Sequence, residues 1–218
     1  LDLSSRPFQL KADGRTITAQ SVILATGASA NRLHVDGEDT FWSHGISACA
    51  ICDGATPQFR NEQLAVVGGG DSACEEAVYL TKYGSKVHLI VRKDRLRASR
   101  AMADRVLANP QIKVHWNRQV KRFGGSDWLE SIELLDNEGR PAETLPVRGL
   151  FYAIGHTPNT GLVKEQLPLD EKGYLITEPG QPATAIEGVF SAGDVADQQW
   201  RQAITAAASG CQAALAAE

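Results

Sequence analysis

The chain has 218 residues, of which 43% are hydrophobic and 22% charged, with a formal net charge of −4. This length and apolar content suffice for one large or two modest folded domains and exclude a disordered chain. The acidic balance argues against nucleic acid or an anionic membrane as a partner, because either needs a dominant basic field. No apolar run approaches the roughly 18 residues of a membrane span and no signal peptide is visible. We therefore expect a cytoplasmic protein, or a stromal one if the source is a plant with plastids.

Residues 1–45 predict a hairpin, one buried strand and an irregular connection. Apolar and polar residues alternate on both sides of Asp13 and Gly14, which is typical of a tight hairpin. Residues 22–25 then predict a buried strand that ends in a turn at Thr26 and Gly27. Residues 28–45 have no regular pattern, so they predict a connection between domains.

Residues 63–91 predict a strand, a glycine turn, a helix and a second strand. The helix is indicated by apolar residues at helical spacing, including Ala73, Ala77 and Leu80, and Gly84 marks its end. The second strand is predicted over 87–91. Together these elements predict a βαβ-type unit.

The remaining sequence continues the alternation of helices and strands. A helix is predicted before Pro110, followed by a strand over 112–117, a hairpin about residues 136–139 and a strand over 150–154. The carboxyl-terminal region predicts a strand, a turn at Gly193 and Asp194, and a long alanine-rich helix.

The glycine turn after the first strand of the βαβ unit matches a dinucleotide-binding pattern. Gly68, Gly70 and Ala73 fit G-x-G-x-x-A between a predicted strand and a predicted helix. The first glycine permits the tight turn, the second lets a pyrophosphate approach the backbone, and the small third residue lets helix and strand pack closely. The phosphates would then face the unpaired N–H groups of the helix N-terminus. The alternative is a tight turn without a ligand.

The end of the second strand indicates which dinucleotide is bound. An NAD site places an acidic residue there to accept the ribose hydroxyl, whereas this sequence has Arg92 and Lys93, with Arg97 following. Cationic side chains suit a 2′-phosphate, so the sequence favours NADP. A solvated charged surface, to which Asp94 also contributes, is the alternative.

Cys49 and Cys52 form the one closely spaced cysteine pair of the chain. Zinc needs about four ligands, and no histidine stands at ligand spacing, so a redox-active C-x-x-C is favoured. Asp53 follows as an acid or base for thiol chemistry, or simply as a cap. Cys74 and Cys211 are expected to be buried packing residues. A flavin is expected as well, because hydride transfer from a nicotinamide to a disulfide needs an intermediary.

Seven motifs in register resemble the low-molecular-weight, NADPH-dependent thioredoxin reductases. They are "ATGA", "ACAICDG", "VVGGGDSACEEA", "VRKDRLRAS", "AIGHTPNT", "GVFSAGDV" and "WRQAITAAASGCQAA". The resemblance implies an α/β fold of two doubly wound, Rossmann-like, three-layer domains. It places a discontinuous FAD domain at 1–43 and 154–218 and an NADPH domain with the redox pair at 44–153.

The resemblance also implies roles for individual residues. Cys49 and Cys52 form the redox disulfide, with Cys52 nearer the flavin and Asp53 as the acid or base. Asp194 bonds the ribityl chain of FAD. The other implied FAD contacts are Thr26, Gly27, Gly193, Arg201, Gln202 and Ala203. The implied NADPH contacts are Gly68, Gly70, Asp71, Ser72, Ala73, Arg92, Lys93 and Arg97.

One family motif, a second glycine pattern for the FAD pyrophosphate, does not occur in this sequence. We therefore expect the FAD domain to be truncated at its amino end. The chain further resembles the reductase module of plastid and cyanobacterial fusions with thioredoxin. The implied partners are thioredoxin or a thioredoxin-like domain, and a second copy of the chain in a homodimer. The alternatives are a flavin-free NADP-binding fragment and a reductase of peroxiredoxin or of a fused thioredoxin domain.

Overall fold

The computed structural model describes residues 1–218, which fold into two compact units. The first unit combines Leu1–Ser29 with His156–Glu218, and the second is Ala30–Gly155. These units are defined by packing alone, so the assignment of 1–43, 44–153 and 154–218 to cofactor domains stays a prediction. None of the helices combines the length and the apolar character needed to cross a bilayer.

The chain alternates short strands with a smaller number of helices. The strands are β1 (Phe8–Ala12), β2 (Arg15–Ala19), β3 (Val22–Leu24), β4 (Ala28–Ala30), β5 (Ile46–Ser47), β6 (Gln63–Val67), β7 (Lys86–Val91), β8 (Ile112–Trp116), β9 (Gln119–Gly125), β10 (Leu129–Leu135), β11 (Pro141–Pro146), β12 (Gly149–Tyr152), β13 (His156–Pro158) and β14 (Val189–Ser191). The helices are α1 (Glu38–Phe41), α2 (Ala50–Asp53), α3 (Asp71–Leu80), α4 (Arg100–Leu107) and α5 (Ala203–Ala217).

The second unit is built on a five-stranded parallel sheet in the order β5-β12-β6-β7-β8. Its central strands are nearly continuous apolar runs, as parallel strands covered on both faces require. Successive residues of β6 serve opposite faces, so Leu64 and Val66 join one hydrophobic cluster while Ala65 and Val67 join another. The predicted α/β class with a parallel sheet is confirmed.

Different layers cover the two faces of this sheet. On one face α3 and α4 contribute Ala73, Ala77, Leu80 and Val106 to the core. The other face is covered by the antiparallel sheet β11-β10-β9, which contributes residues such as Phe123. The unit therefore has three layers, and one outer layer is a sheet instead of helices.

Two sequence expectations differ from this unit in detail. The predicted strand over 150–154 is β12, which begins and ends earlier, and β9 was not predicted. The supposedly irregular connection over 28–45 contains β4 and the short helix α1. This connection is ordered around Glu38, whose buried carboxylate accepts the N–H groups of Leu33 and His34 at 2.8 Å and the Tyr152 hydroxyl at 2.5 Å.

The first unit contains the predicted amino-terminal hairpin and carboxyl-terminal helix. β1 and β2 pair antiparallel, β3 pairs parallel with β14, and α5 packs on β3 and β14. Cys74 of the second unit is buried, but the expectation that Cys211 is buried was wrong. The one buried residue of α5 is Ala213, and Cys211 lies two positions earlier, on another side of the helix.

Candidate functional site

The glycine turn of the second unit has the geometry that a dinucleotide motif requires. Gly68 has φ +151°, and a Cβ on it would stand 2.5 Å from the Ala153 carbonyl oxygen and 2.8 Å from Ala73 Cβ. Gly70 immediately precedes α3, and no atom lies within 4 Å of where its Cβ would be. The first glycine is thus required by packing, while the second leaves open space beside the helix start.

A cavity of about 400 Å³ lies at the carboxyl ends of the parallel strands. It is lined by Gly68 and by the predicted cations Arg92, Lys93 and Arg97. No aspartate or glutamate lines it. This donor set fits a dinucleotide with a 2′-phosphate, because guanidinium and ammonium groups pair with a dianion and would leave a ribose hydroxyl without its usual carboxylate.

Four of the residues predicted to bind NADPH do not line this cavity: Gly70, Asp71, Ser72 and Ala73. Ala73 is buried against the glycine turn, where a larger residue would clash. Asp71 is exposed, and its carboxylate accepts the Ser99 N–H at 2.9 Å, a bond that lowers its pKa. Asp71 therefore ties the start of α3 to the residue preceding α4.

The predicted redox pair is a disulfide in this structure, with the Cα atoms of Cys49 and Cys52 5.3 Å apart. Cys49 caps the short helix α2, and its sulfur accepts the Cys52 N–H at 3.2 Å. Cys52 is exposed and Cys49 is half-buried. The helix thus presents the disulfide to solvent at Cys52.

Asp53 is held beside this disulfide by Ser47. The Ser47 hydroxyl donates to Asp53 Oδ2 at 2.6 Å and accepts the Cys49 N–H at 3.0 Å. Sequence reasoning missed Ser47, although its position two residues before the first cysteine is typical of a serine that bonds the local backbone. One hydroxyl therefore fixes both the carboxylate and the first cysteine.

The remaining cysteines lack these features. Burial in the core raises the pKa of Cys74 to about 11, and the charges of Asp71 and Glu75 act in the same direction. Such a thiol stays protonated and unreactive at neutral pH.

The first unit has a cavity of about 370 Å³ where the sequence predicts flavin contacts. Alanine and glycine make up seven of its ten lining residues. Of the predicted FAD contacts, the cavity brings together Gly27, Gly193, Asp194, Arg201, Gln202 and Ala203. Thr26 is not among the lining residues, and its hydroxyl donates to the Asn159 carbonyl at 2.7 Å.

Asp194 is the one carboxylate that lines this cavity. Burial raises its pKa and the charge of Asp197 adds to this, while His156 and Arg201 oppose the shift. Burial disfavours the charged form of His156 and therefore lowers its pKa, and the Nδ1 atom of this ring is buried without a hydrogen-bond partner. His156 does not line the cavity, so of these two residues it is Asp194 whose carboxylate can accept a hydrogen bond from a polar flavin chain there.

The loop before α5 is ordered by Asp197. Its carboxylate accepts the N–H groups of Gln199, Trp200 and Arg201, each at 2.9 Å. Gln202 then caps α5 through reciprocal bonds with Thr205. These bonds place Arg201 and Gln202 at the cavity.

The structure adds cations to the dinucleotide cavity that sequence reasoning missed. They are Arg32, Arg95 and Arg118. Arg95 lies between the predicted cations Lys93 and Arg97. Arg118 directly follows a predicted strand, and ligands of open parallel sheets bind at the carboxyl ends of such strands. No motif or periodicity in the sequence identifies Arg32, because it lies in the connection over residues 28–45, which has no regular pattern.

The family described as pyridine nucleotide-disulphide oxidoreductase matches residues 1–210. Thioredoxin reductases of Schizosaccharomyces pombe and Debaryomyces hansenii are 58% and 55% identical, over 100% of this chain and 69% of each relative. The solved thioredoxin reductase of Giardia duodenalis has a TM-score of 0.87 and 40% identity, and the match covers 99% of this chain and 71% of that chain.

These matches agree with each other in family and in fold. The family relationship explains the C-x-x-C disulfide and the cationic dinucleotide cavity together, since FAD and NADPH are the cofactors of these oxidoreductases. The chain belongs to the thioredoxin reductase family of pyridine nucleotide-disulphide oxidoreductases.

Proposed function

We propose that this protein reduces the disulfide of thioredoxin with electrons from NADPH. The electrons pass by way of FAD to the Cys49–Cys52 disulfide and from the resulting dithiol to thioredoxin. The observation that carries the proposal is the disulfide with an exposed Cys52 and a carboxylate held next to it by Ser47.

The thiol exchange balances without a further reactant. One thiolate of the reduced pair attacks a sulfur of the thioredoxin disulfide, which releases the other thioredoxin sulfur as a thiolate and leaves a mixed disulfide. The second thiol of the pair then attacks its neighbour, and the Cys49–Cys52 bond forms again as the second thioredoxin thiolate leaves. Asp53 takes the proton from the attacking thiol and returns it to a leaving thiolate. The net reaction consumes NADPH and one proton and yields NADP⁺ and the thioredoxin dithiol.

NADPH is the proposed electron donor because its 2′-phosphate matches the cavity's charge. Arg92, Lys93 and Arg97 supply the cations, while Gly68 and the start of α3 receive the pyrophosphate. Gly70, Asp71, Ser72 and Ala73 shape the turn and the helix start beside it. NADH lacks the phosphate, so it gains nothing from these three side chains.

FAD, when bound, accepts hydride and delivers the electron pair to a disulfide. The residues that hold it in this proposal line the cavity of the first unit. Asp194 would accept a hydrogen bond from the ribityl chain, and Arg201, Gln202 and Ala203 would contact the cofactor from the start of α5. Gly27 and Gly193 leave room for the cofactor, and Thr26 supports the adjoining turn.

The protein is further proposed to act as a homodimer in the cytoplasm. Both assignments rest on the family resemblance, and sedimentation of the purified protein together with fractionation of the source cells tests them. A peroxiredoxin or a fused thioredoxin domain is the alternative acceptor.

The decisive test uses the flavin-loaded protein with Cys52→Ser. NADPH is expected to bleach the flavin absorbance of this variant, while thioredoxin reduction is lost because no disulfide can form. Cys211→Ser is the matched control, since Cys211 is exposed and lies outside both cavities. Undiminished thioredoxin turnover by Cys52→Ser contradicts the proposal.

A further inference from the structure

Arg118 lies at the dinucleotide cavity, just beyond the carboxyl end of β8. Its backbone N–H donates to the Val91 carbonyl at 3.1 Å, and the N–H of Asn117 donates to the Lys93 carbonyl at 3.2 Å. These bonds tie the end of β8 to the segment that carries Arg92 and Lys93. Because ligands of open parallel sheets bind outside the carboxyl ends of the strands, Arg118 stands on the ligand edge.

The guanidinium of Arg118 is held in place but has donors to spare. Its Nη1 donates to the carbonyls of Asn117 at 3.1 Å and Trp116 at 3.4 Å. Its Nε is buried without a hydrogen-bond partner and lies 3.7 Å from Glu143 Oε1, beyond hydrogen-bond range. A guanidinium carries five N–H donors, and the two carbonyls take at most two of them.

Glu143, on β11, keeps a negative charge behind this guanidinium. Burial opposes its ionisation, but the hydrogen bond from His115 at 2.8 Å and the nearby cations outweigh burial and lower its pKa. Arg118 is therefore restrained by two carbonyls and one carboxylate before any ligand arrives. A restrained side chain loses less conformational entropy on binding, so its contact adds more to affinity.

We propose that Arg118 is a further recognition residue for the cofactor, contacting the phosphate on the adenosine 2′ position. This inference rests on the proposed function, because it takes the cavity as the NADPH site. The cavity lining holds six cationic side chains and no carboxylate: Arg32, Arg92, Lys93, Arg95, Arg97 and Arg118. A phosphate dianion is the ligand that such a lining favours, and a planar guanidinium binds it through two donors at once.

The test measures ligand binding by calorimetry, with the whole chain and without a redox reaction. Adenosine 2′,5′-bisphosphate and adenosine 5′-monophosphate differ only in the 2′-phosphate. For Arg118→Gln we expect bisphosphate binding to weaken about tenfold, as for one lost charged hydrogen bond, and monophosphate binding to change less than about twofold. Arg118→Lys keeps the charge and is expected to recover part of the loss.

Arg140→Gln is the matched control for removing one positive charge. Arg140 is exposed in the turn between β10 and β11, where it pairs with Asp136 and Glu138. It is expected to leave the affinity for both ligands unchanged.

Three results overturn the inference, and they differ in what else they affect. Equal weakening of both ligands by Arg118→Gln places the contact on the adenosine instead of the phosphate. An unchanged affinity for Arg118→Gln, with weaker binding by Arg92→Gln, removes Arg118 alone and leaves the cavity assignment intact. Unchanged bisphosphate binding by both variants overturns the NADPH site itself and thus the proposed function.

Discussion

The Ser47 hydroxyl donates a 2.6 Å hydrogen bond to Asp53 across the helix that carries the disulfide. A carboxylate at the end of a short helix has several rotamers, and this bond selects one of them. Because the same oxygen accepts the Cys49 N–H, the position of the carboxylate is coupled to that of the first cysteine. Proton transfer to a thiolate depends on such positioning as much as on pKa.

Ser47→Ala is expected to slow thioredoxin reduction about tenfold, because Asp53 loses the bond that orients it. Asp53→Asn is expected to slow thioredoxin reduction about hundredfold, which is the lower end of the rate enhancement that a general acid or base provides. The KM for NADPH is expected to stay unchanged in both variants, and steady-state assays with thioredoxin measure all of these values. A Ser47→Ala enzyme as fast as the unmodified protein contradicts a positioning role for Ser47.

We expect alanine at the two motif glycines to have different effects, a loss of stability at Gly68 and a loss of cofactor binding at Gly70. Gly68→Ala forces a Cβ against Ala153 and Ala73 at a backbone φ of +151°. We expect the free energy of unfolding to fall by about 3 kcal/mol, from overpacking and backbone strain together.

Gly70→Ala meets no such obstacle, since its φ is −95° and its surroundings are open. Its stability is expected to change by less than about 0.5 kcal/mol, while NADPH binding weakens about tenfold because the methyl group occupies the pyrophosphate approach. Urea titrations and NADPH binding separate the two effects. Equal loss of stability in both variants is the contrary result.

The sequence predicts the parts of this fold that depend on local patterns. The βαβ unit around Gly68 follows from apolar runs, glycines and helical spacing, all of which lie within about 30 residues of each other. The antiparallel layer of β9–β11 was recognised only as a hairpin. Lys121 and Arg122 of β9 are both exposed, and its two buried residues, Val120 and Phe123, lie three positions apart, so β9 has no period-two alternation to identify.

In the candidate site too, residues that are close together in the sequence could be predicted, whereas residues that are far apart in the sequence could not. Arg92, Lys93 and Arg97 are visible as a cluster in the sequence, and the structure places all three at the cavity. Arg32 reaches the same cavity from about 60 residues away, and Glu143 lies behind Arg118 only because β11 packs near β8. No spacing rule connects such residues, so three-dimensional packing alone reveals them.

Asp194→Ala is expected to weaken FAD binding at least about tenfold, because it removes the one carboxylate that lines the cavity of the first unit. Asp194→Asn retains an acceptor oxygen, so its affinity for FAD is expected to fall less. The absorbance spectrum after dialysis measures the flavin retained per chain. Glu187→Gln, which removes an exposed carboxylate of the same unit, is the control. Full flavin retention by Asp194→Ala excludes Asp194 as a contact, and a colourless unmodified protein favours the flavin-free alternative.

The buried His88–His115 pair makes stability depend on pH. His88 Nδ1 lies 2.9 Å from His115 Nε2, and both residues are 4% exposed. Burial lowers the pKa of His88 from 6.5 to about 4, with the charges of His115, Lys86 and Lys113 adding to the effect and Glu143 opposing it. Burial lowers the pKa of His115 as well, although its bond to Glu143 works against the shift.

The folded chain therefore keeps His88 neutral at a pH where the unfolded chain protonates it. The unfolded state binds more protons between about pH 6.5 and 4, so the free energy of unfolding falls as the pH falls through this window. For His88 alone we expect a loss of about 2 kcal/mol between pH 7 and 5. Urea unfolding at both pH values measures it.

Replacing both rings, as His88→Phe with His115→Leu, is expected to remove most of this pH dependence. The two rings bond each other, so replacing both leaves no unpaired histidine, while Gln63 and Glu143 each lose one hydrogen bond. His44→Gln is the control, since His44 is exposed and lies outside the pair. The double variant is expected to keep most of its pH 7 stability at pH 5, whereas His44→Gln loses as much as the unmodified protein. An unchanged loss in the double variant assigns the acid sensitivity to carboxylates elsewhere.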